Sequence, residues 1–128
     1  MKAVYIASRT AQKSRAIKLL RLLEAKGYRS KTDWLIKPML KPYNKHREEA
    51  KKFARECIAH VLSCDVFILL SDEAGTGMYI ELGAALAKLH TSNKTDIYLV
   101  GPHGANSIFT YYPGVKTVDS DEELLSLL

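Results

Sequence analysis

The sequence predicts an α/β fold: a doubly wound, mainly parallel five-stranded sheet in a three-layer sandwich of the flavodoxin or Rossmann-like kind. Three observations predict it. Short β-rich apolar runs alternate with stretches of helical periodicity, the pattern of right-handed βαβ units. Asp65-Val66-Phe67-Ile68-Leu69-Leu70 is apolar without alternation, as a strand buried on both faces must be. Glycine- or proline-bearing turns separate most of the elements. With 128 residues, 47% of them hydrophobic, the chain is expected to form one domain over residues 1–128 with an ordinary core.

Lys2 to Ala7 is the first strand. Ala11 to Lys26 follows as a helix, with Ala16, Leu19, Leu20 and Leu23 at helical spacing and Gly27 as its stop. Tyr28 to Trp34 makes a second, more exposed strand. Pro38 and Pro42 break any regular element, so 35–44 is a loop. A helix over about Lys45 to Ser63 has Ala50, Phe53, Ala54, Cys57, Ile58 and Val61 on its inner face. After the central strand, Ser71 to Gly77 is a tight loop and about Met78 to His90 a third helix. Asp96 to Val100 is the fourth strand, ended by Gly101-Pro102, and Val115 to Val118 a short fifth. Ser120 to Leu128 closes the chain as a helix, capped by Ser120 with Glu123 three residues on.

Composition narrows the function. No apolar run approaches the ~20 residues a membrane helix needs, and the N-terminus lacks the layout of a signal peptide. Cys57 and Cys64 are too few for a disulfide framework and suit a reduced, cytoplasmic protein. With His60 they stack on one helix face, but a structural zinc site wants a fourth ligand, so packing is the expected role and no metal or cofactor is expected. Charge is divided unevenly: residues 1–60 hold 16 Lys and Arg against 5 Asp and Glu, and residues 61–128 hold 3 against 9. A basic half suits an anionic small molecule such as a phosphate. Nucleic acid is a weaker fit, because the basic residues are spread over two helices and a loop without interleaved aromatics.

Ligands of doubly wound sheets bind at the carboxyl ends of the strands. Three segments converge there: Ala7-Ser8-Arg9-Thr10, Asp33-Trp34 with its following loop, and Ser71 to Glu81. The loop Asp72-Glu73-Ala74-Gly75-Thr76-Gly77 opens a helix, where glycines permit a sharp turn and free N–H groups attract anions. It lacks the Gly-Lys-Ser/Thr of a P-loop, and the first strand lacks the glycines of a dinucleotide fingerprint. Glu81 falls in the first helical turn among apolar neighbours, where the helix dipole favours its charged form. Acidic first-turn residues are common in any helix, so position alone does not mark it as functional. Trp34, Tyr43, Tyr111 and Tyr112 can stack on a base or simply pack. The loop 35–44 is placed as a lid, with Lys37, Lys41 and Lys45 available to an anion.

Four segments are more specific. Tyr5-Ile6-Ala7-Ser8-Arg9 closes the first strand, followed after a helix by Gly27-Tyr28 and Asp33-Trp34-Leu35. Asp65 to Leu70 is an aspartate-led hydrophobic strand. Gly77-x-x-x-Glu81-Leu82-Gly83-x-Ala85 is a spaced box, and Tyr98-Leu99-Val100-Gly101-Pro102 precedes Ile108-Phe109 and Tyr112-Pro113. In this order, over nearly the whole chain, they resemble the nucleoside 2-deoxyribosyltransferase family, including its 2′-deoxynucleoside 5′-monophosphate N-glycosidase-like members.

The resemblance implies that Glu81 attacks the anomeric carbon of a 2-deoxyribosyl group, and that the sugar then passes to another base or to water. A carboxylate suits an oxocarbenium-like transition state. Asp72 or Glu73 would assist the leaving base. Tyr5, Ser8 and Arg9 would line the sugar and its 5′ end, Arg9 suiting a 5′-phosphate. Trp34, Gly75, Thr76 and Gly77 would complete the substrate site, and Asp65 would be structural. The partner implied is a small nucleoside or nucleotide, bound by a homodimer or larger homo-oligomer. An unusually apolar third helix is consistent with such a partner surface. One position departs from the family: its second-helix aspartate, eight residues before the third strand's aspartate, is Cys57 here, beside Glu56. A thiol does not replace a carboxylate. A nucleotide-binding regulatory domain on the same fold is therefore the alternative reading.

Overall fold

The computed structural model describes residues 1–37 and 40–128. Five strands, β1 (Ala3–Ala7), β2 (Arg29–Ser30), β3 (Val66–Leu70), β4 (Asp96–Val100) and β5 (Val115–Val118), lie parallel in the order β2-β1-β3-β4-β5. Four helices, α1 (Lys13–Ala25), α2 (Arg47–Ser63), α3 (Gly77–Ser92) and α4 (Asp121–Leu127), cover the two faces.

Every residue of β1 and β3 is buried, as their unbroken apolar runs require. Successive side chains of β1 point to opposite faces. Val4 and Ile6 therefore join Ala16, Leu19 and Leu23 of α1 and Leu124 of α4. Tyr5 and Ala7 join Val61 of α2 with Leu82, Ala85 and Leu86 of α3. Asp65 ties the two central strands at their lower end, its carboxylate accepting from the Ala3 N–H at 2.7 Å. The strand order reverses direction between β1 and β3. Here α1 leaves β1 onto one face while α3 leaves β3 onto the other, opening a crevice above the pair.

The second strand is shorter than its sequence suggests. Only Arg29–Ser30 form the ladder with β1, and Asp33–Leu35 turn into a 3-10 helix. Side chains take over where the ladder stops: Thr32 Oγ1 accepts from the Ile6 N–H at 2.9 Å, and Trp34 Nε1 donates to the Ile6 carbonyl at 2.8 Å. An edge strand needs partners on one side only, and these two side chains supply them. Thr32 is buried, so Thr32→Val should leave the Ile6 amide without an acceptor and cost about 1–3 kcal/mol in urea denaturation.

Smaller differences concern helix ends. Residues 10–12 and 43–45 form single 3-10 turns, so α1 starts at Lys13 and α2 at Arg47. Gly27, the expected stop of α1, adopts φ +99°, open to glycine without strain. The capping box of α4 is as expected, with Ser120 accepting from the Glu123 N–H at 3.1 Å. Pro38 lies outside the described residues. Between β4 and β5 the chain makes 3-10 turns at Gly104–Asn106 and Ile108–Tyr111. Among the described residues no helix is long and apolar enough to cross a membrane.

Candidate active site

The crevice above β1 and β3 is a cleft of about 650 Å³. Its floor is the turn after β1, with Ser8 and Arg9; one wall is the start of α3, with Gly75, Thr76, Gly77 and Glu81; the other is α2 and the loop before it. The expected inner face of α2 is divided between core and cleft. Val61 alone is buried in the core, Ala54 is exposed, and Ala50, Phe53, Ala54, Cys57 and Ile58 line the cleft. An apolar stripe looks the same in sequence whether it seals a core or lines a binding cleft.

Tyr5, on β1, is fully buried and stacks on Phe67 of β3 with ring centroids 5.9 Å apart. It therefore lies beneath the cleft lining, and its hydroxyl donates a short hydrogen bond to Glu81 Oε2. The Cys57 thiol is an electrostatic neighbour of the same hydroxyl. Burial and the neighbouring Glu81 carboxylate drive the Tyr5 phenol far above its ordinary value, so it remains a donor.

Burial pushes the Glu81 carboxyl up to about 7, against the opposing pull of the Tyr5 hydrogen bond. This corrects the expectation of a first-turn carboxylate held charged by the helix dipole. The helix starts at Gly77, so Glu81 is its fifth residue and lies past the first turn, where the dipole acts most strongly. Desolvation dominates instead. The site is a carboxyl poised to change charge near neutral pH, with one oxygen held by a buried tyrosine.

Asp72 sits beside the cleft and is not among its lining residues. It accepts from Gln12 Nε2 at 2.9 Å, from the Ala74 N–H at 3.2 Å and from Arg9 at 3.3 Å. Those bonds, the Gln12 one first, lower its pKa. In this setting Asp72 accepts hydrogen bonds and holds Arg9 toward the cleft; a carboxylate so stabilised is a poor proton donor. Gly75 explains the glycine in this loop: at φ +116°, a Cβ there would fall 2.9 Å from Met78 Cε and 3.0 Å from Arg9 Cγ. Gly77 meets nothing within 4 Å, so close contact with this protein does not demand it. Thr76 makes no side-chain cap, and among the described residues nothing bonds the Gly77 and Met78 amides, the first two of α3, whose residues line the cleft.

Trp34 lines the cleft with its ring fixed by the Ile6 bond. Tyr43 also lines it; Tyr111 is exposed on the β4–β5 connection, and Tyr112 packs beneath α3 with its hydroxyl 2.6 Å from His90 Nδ1. Neither Tyr111 nor Tyr112 reaches the cleft, which corrects their reading as candidates for base stacking. Glu56 is paired with Lys37 and does not line the cleft, so it does not take the place of a carboxylate at Cys57. The two cysteines part company: Cys64 is buried with its thiol donating to the Val61 carbonyl, whereas Cys57 lines the cleft. Burial raises the Cys57 thiol to about 11, so it is neutral near pH 7. The sequence does not single out Lys13. Its only signal is its position four residues after Arg9 at the start of α1, and it lines the cleft.

No family model matches this sequence, and no curated protein does either. Among solved structures, the chain is similar to the CMP N-glycosidase BcmB of Clostridium botulinum, with a TM-score of 0.65 and 19% sequence identity. The match covers 98% of this chain and 97% of the other. At that identity the likeness establishes the shared Rossmann-like α/β fold.

Proposed function

We propose that this protein cleaves the N-glycosidic bond of a nucleotide, or exchanges its base, with Glu81 as the nucleophile. The substrate class is a 2′-deoxynucleoside or, more fittingly, a 2′-deoxynucleoside 5′-phosphate; a fold neighbour named for CMP makes ribonucleotides part of the test. The observation that carries the reading is the Glu81 carboxyl, near-neutral in pKa and bonded to a buried tyrosine, in the wall of a cleft whose floor holds Arg9.

In the first step a Glu81 oxygen bonds to C1′ while the C1′–N bond breaks. The electron pair leaves with the base, which takes a proton from water. The second step adds water to C1′, releases Glu81 as carboxylate and frees a proton, for a net hydrolysis to base and sugar phosphate; a second base in place of water gives exchange. Arg9 and the first amides of α3 bind the phosphate, Asp72 keeps Arg9 in position, and Trp34 offers a face to the base.

The test is base release or exchange from a panel of nucleosides and 5′-monophosphates, ribo and 2′-deoxy, with and without a second free base. Turnover that disappears in Glu81→Ala supports the reading. Saturable nucleotide binding without turnover of any substrate overturns it in favour of a regulatory nucleotide-binding domain. That second reading draws on Cys57, which leaves no carboxylate beside the Tyr5–Glu81 pair on α2.

Tyr5→Phe separates the tyrosine's role from simple packing. The hydroxyl bond pulls the Glu81 pKa down, so removing it raises that pKa further, by about one unit for a bond to a charged group. Because the nucleophile must be ionised, the acid limb of kcat/KM should move to higher pH. Activity at pH 6.5 should fall about tenfold and largely recover at pH 9; a uniform loss at all pH values would show that the bond does not tune Glu81.

A further inference from the structure

Resting on the nucleotide reading, we infer that the cleft takes a nucleoside 5′-diphosphate or 5′-triphosphate in preference to the monophosphate. Among the described residues, the cleft lining holds four cationic side chains, Arg9, Lys13, Lys37 and Lys41, and one carboxylate, Glu81. Glu81 belongs to the sugar end. Two of the cations already have acidic partners, Arg9 in Asp72 and Lys37 in Glu56. Among the described residues, Lys13 and Lys41 have no carboxylate within ion-pair distance.

These two lysines enter from opposite sides. Lys13 opens α1 four residues after Arg9, beyond the short 3-10 turn at Thr10–Gln12, and adds a second cation to the lining on the α1 side. Lys41 comes from the loop before α2, its ammonium 5.9 Å from the Tyr43 ring centroid. A lone surface lysine is usually only a solvated charge. Two uncompensated cations lining one cleft are different: they raise its potential, and an anion seated between them relieves it. Arg9 and the α3 amides already suffice for one phosphate. A second phosphate, continuing outward from the first, is the group that Lys13 and Lys41 fit.

The experiment compares 5′-mono-, di- and triphosphates of each common nucleoside, ribo and 2′-deoxy, by calorimetric Kd and by kcat/KM for base release. The di- or triphosphate should bind at least about tenfold more tightly than the monophosphate of the same base, as one added charged hydrogen bond provides. The double variant Lys13→Gln, Lys41→Gln should bring that ratio to within about twofold. In wild-type protein, rising salt should narrow it too, since both lysines reach solvent. Equal or tighter binding of the monophosphate overturns the inference, as does a ratio that the double variant leaves intact. Base release without any di- or triphosphate preference removes this inference and leaves the glycosidase reading standing. A preference in binding with no base release from any substrate does the reverse.

Discussion

Glu81→Gln is expected to abolish base release, by at least about 10⁴-fold in kcat, while making the protein more stable at alkaline pH. Both results follow from one carboxyl. An amide cannot form the glycosyl ester, so the covalent route closes. Gln has nearly the same shape and still accepts the Tyr5 hydrogen bond, so the fold should be retained. The stability effect has a defined sign. The folded Glu81 pKa is about 7 against an ordinary 4.5, so this carboxyl's stabilising contribution is complete below pH 4.5 and is lost as pH rises through 7. Above that the folded protein carries a poorly solvated charge costing about 3 kcal/mol, at 1.36 kcal/mol per unit. Glu81→Gln removes this cost. Urea unfolding at pH 8 should therefore show the variant up to about 3 kcal/mol more stable, shrinking to under about 1 kcal/mol at pH 5. Loss of activity with no gain at pH 8 would mean that Glu81 is not desolvated as the structure has it. The wild-type acid limb of kcat/KM should lie near pH 7 for the same reason.

Arg9→Gln should raise KM for 5′-monophosphates by about 10–100-fold, the worth of a charge-assisted contact to phosphate. Unphosphorylated nucleosides should lose far less, so the selectivity between the two classes is the informative reading. Asp72 keeps Gln12 and the Ala74 amide as partners when Arg9 is gone, so the loop before α3 stays anchored. An equal loss on nucleosides and monophosphates would mean that Arg9 shapes the cleft without reading the phosphate. Its side chain does pack closely against Gly75, and that contact is the competing explanation the comparison removes.

Much of the fold was legible because the signals were long and redundant. The unbroken run Val66–Leu70 could only be a strand with both faces covered, and β4 and β5 appear at the boundaries their sequences suggest. The second strand ends sooner than its sequence suggests, because β-rich composition does not show where a ladder stops. Thr32 and Trp34 end it by taking the backbone's partners with their side chains. Of the site, Glu81, Ser8, Arg9, Trp34, Gly75, Thr76 and Gly77 could be brought to one end of the sheet by topology alone, and the structure places all of them on the cleft. Tyr5 lies beneath it, and Asp72 beside it, engaged with Arg9.

The sequence by itself determined the order and type of the elements and the end of the sheet at which chemistry collects. Periodicity and turn residues are local, and the handedness of βαβ units carries them to a topology. Only the tertiary structure decided the charge state and surroundings of the groups there. Whether Glu81 is held ionised or pushed toward neutrality depends on how deeply α3 seats against β1 and α2. Whether the apolar face of α2 seals a core or lines a cleft depends on what packs opposite it. Desolvation and hydrogen bonding act between residues distant in the chain, Tyr5 with Glu81 and Arg9 with Asp72, and no local pattern encodes those distances.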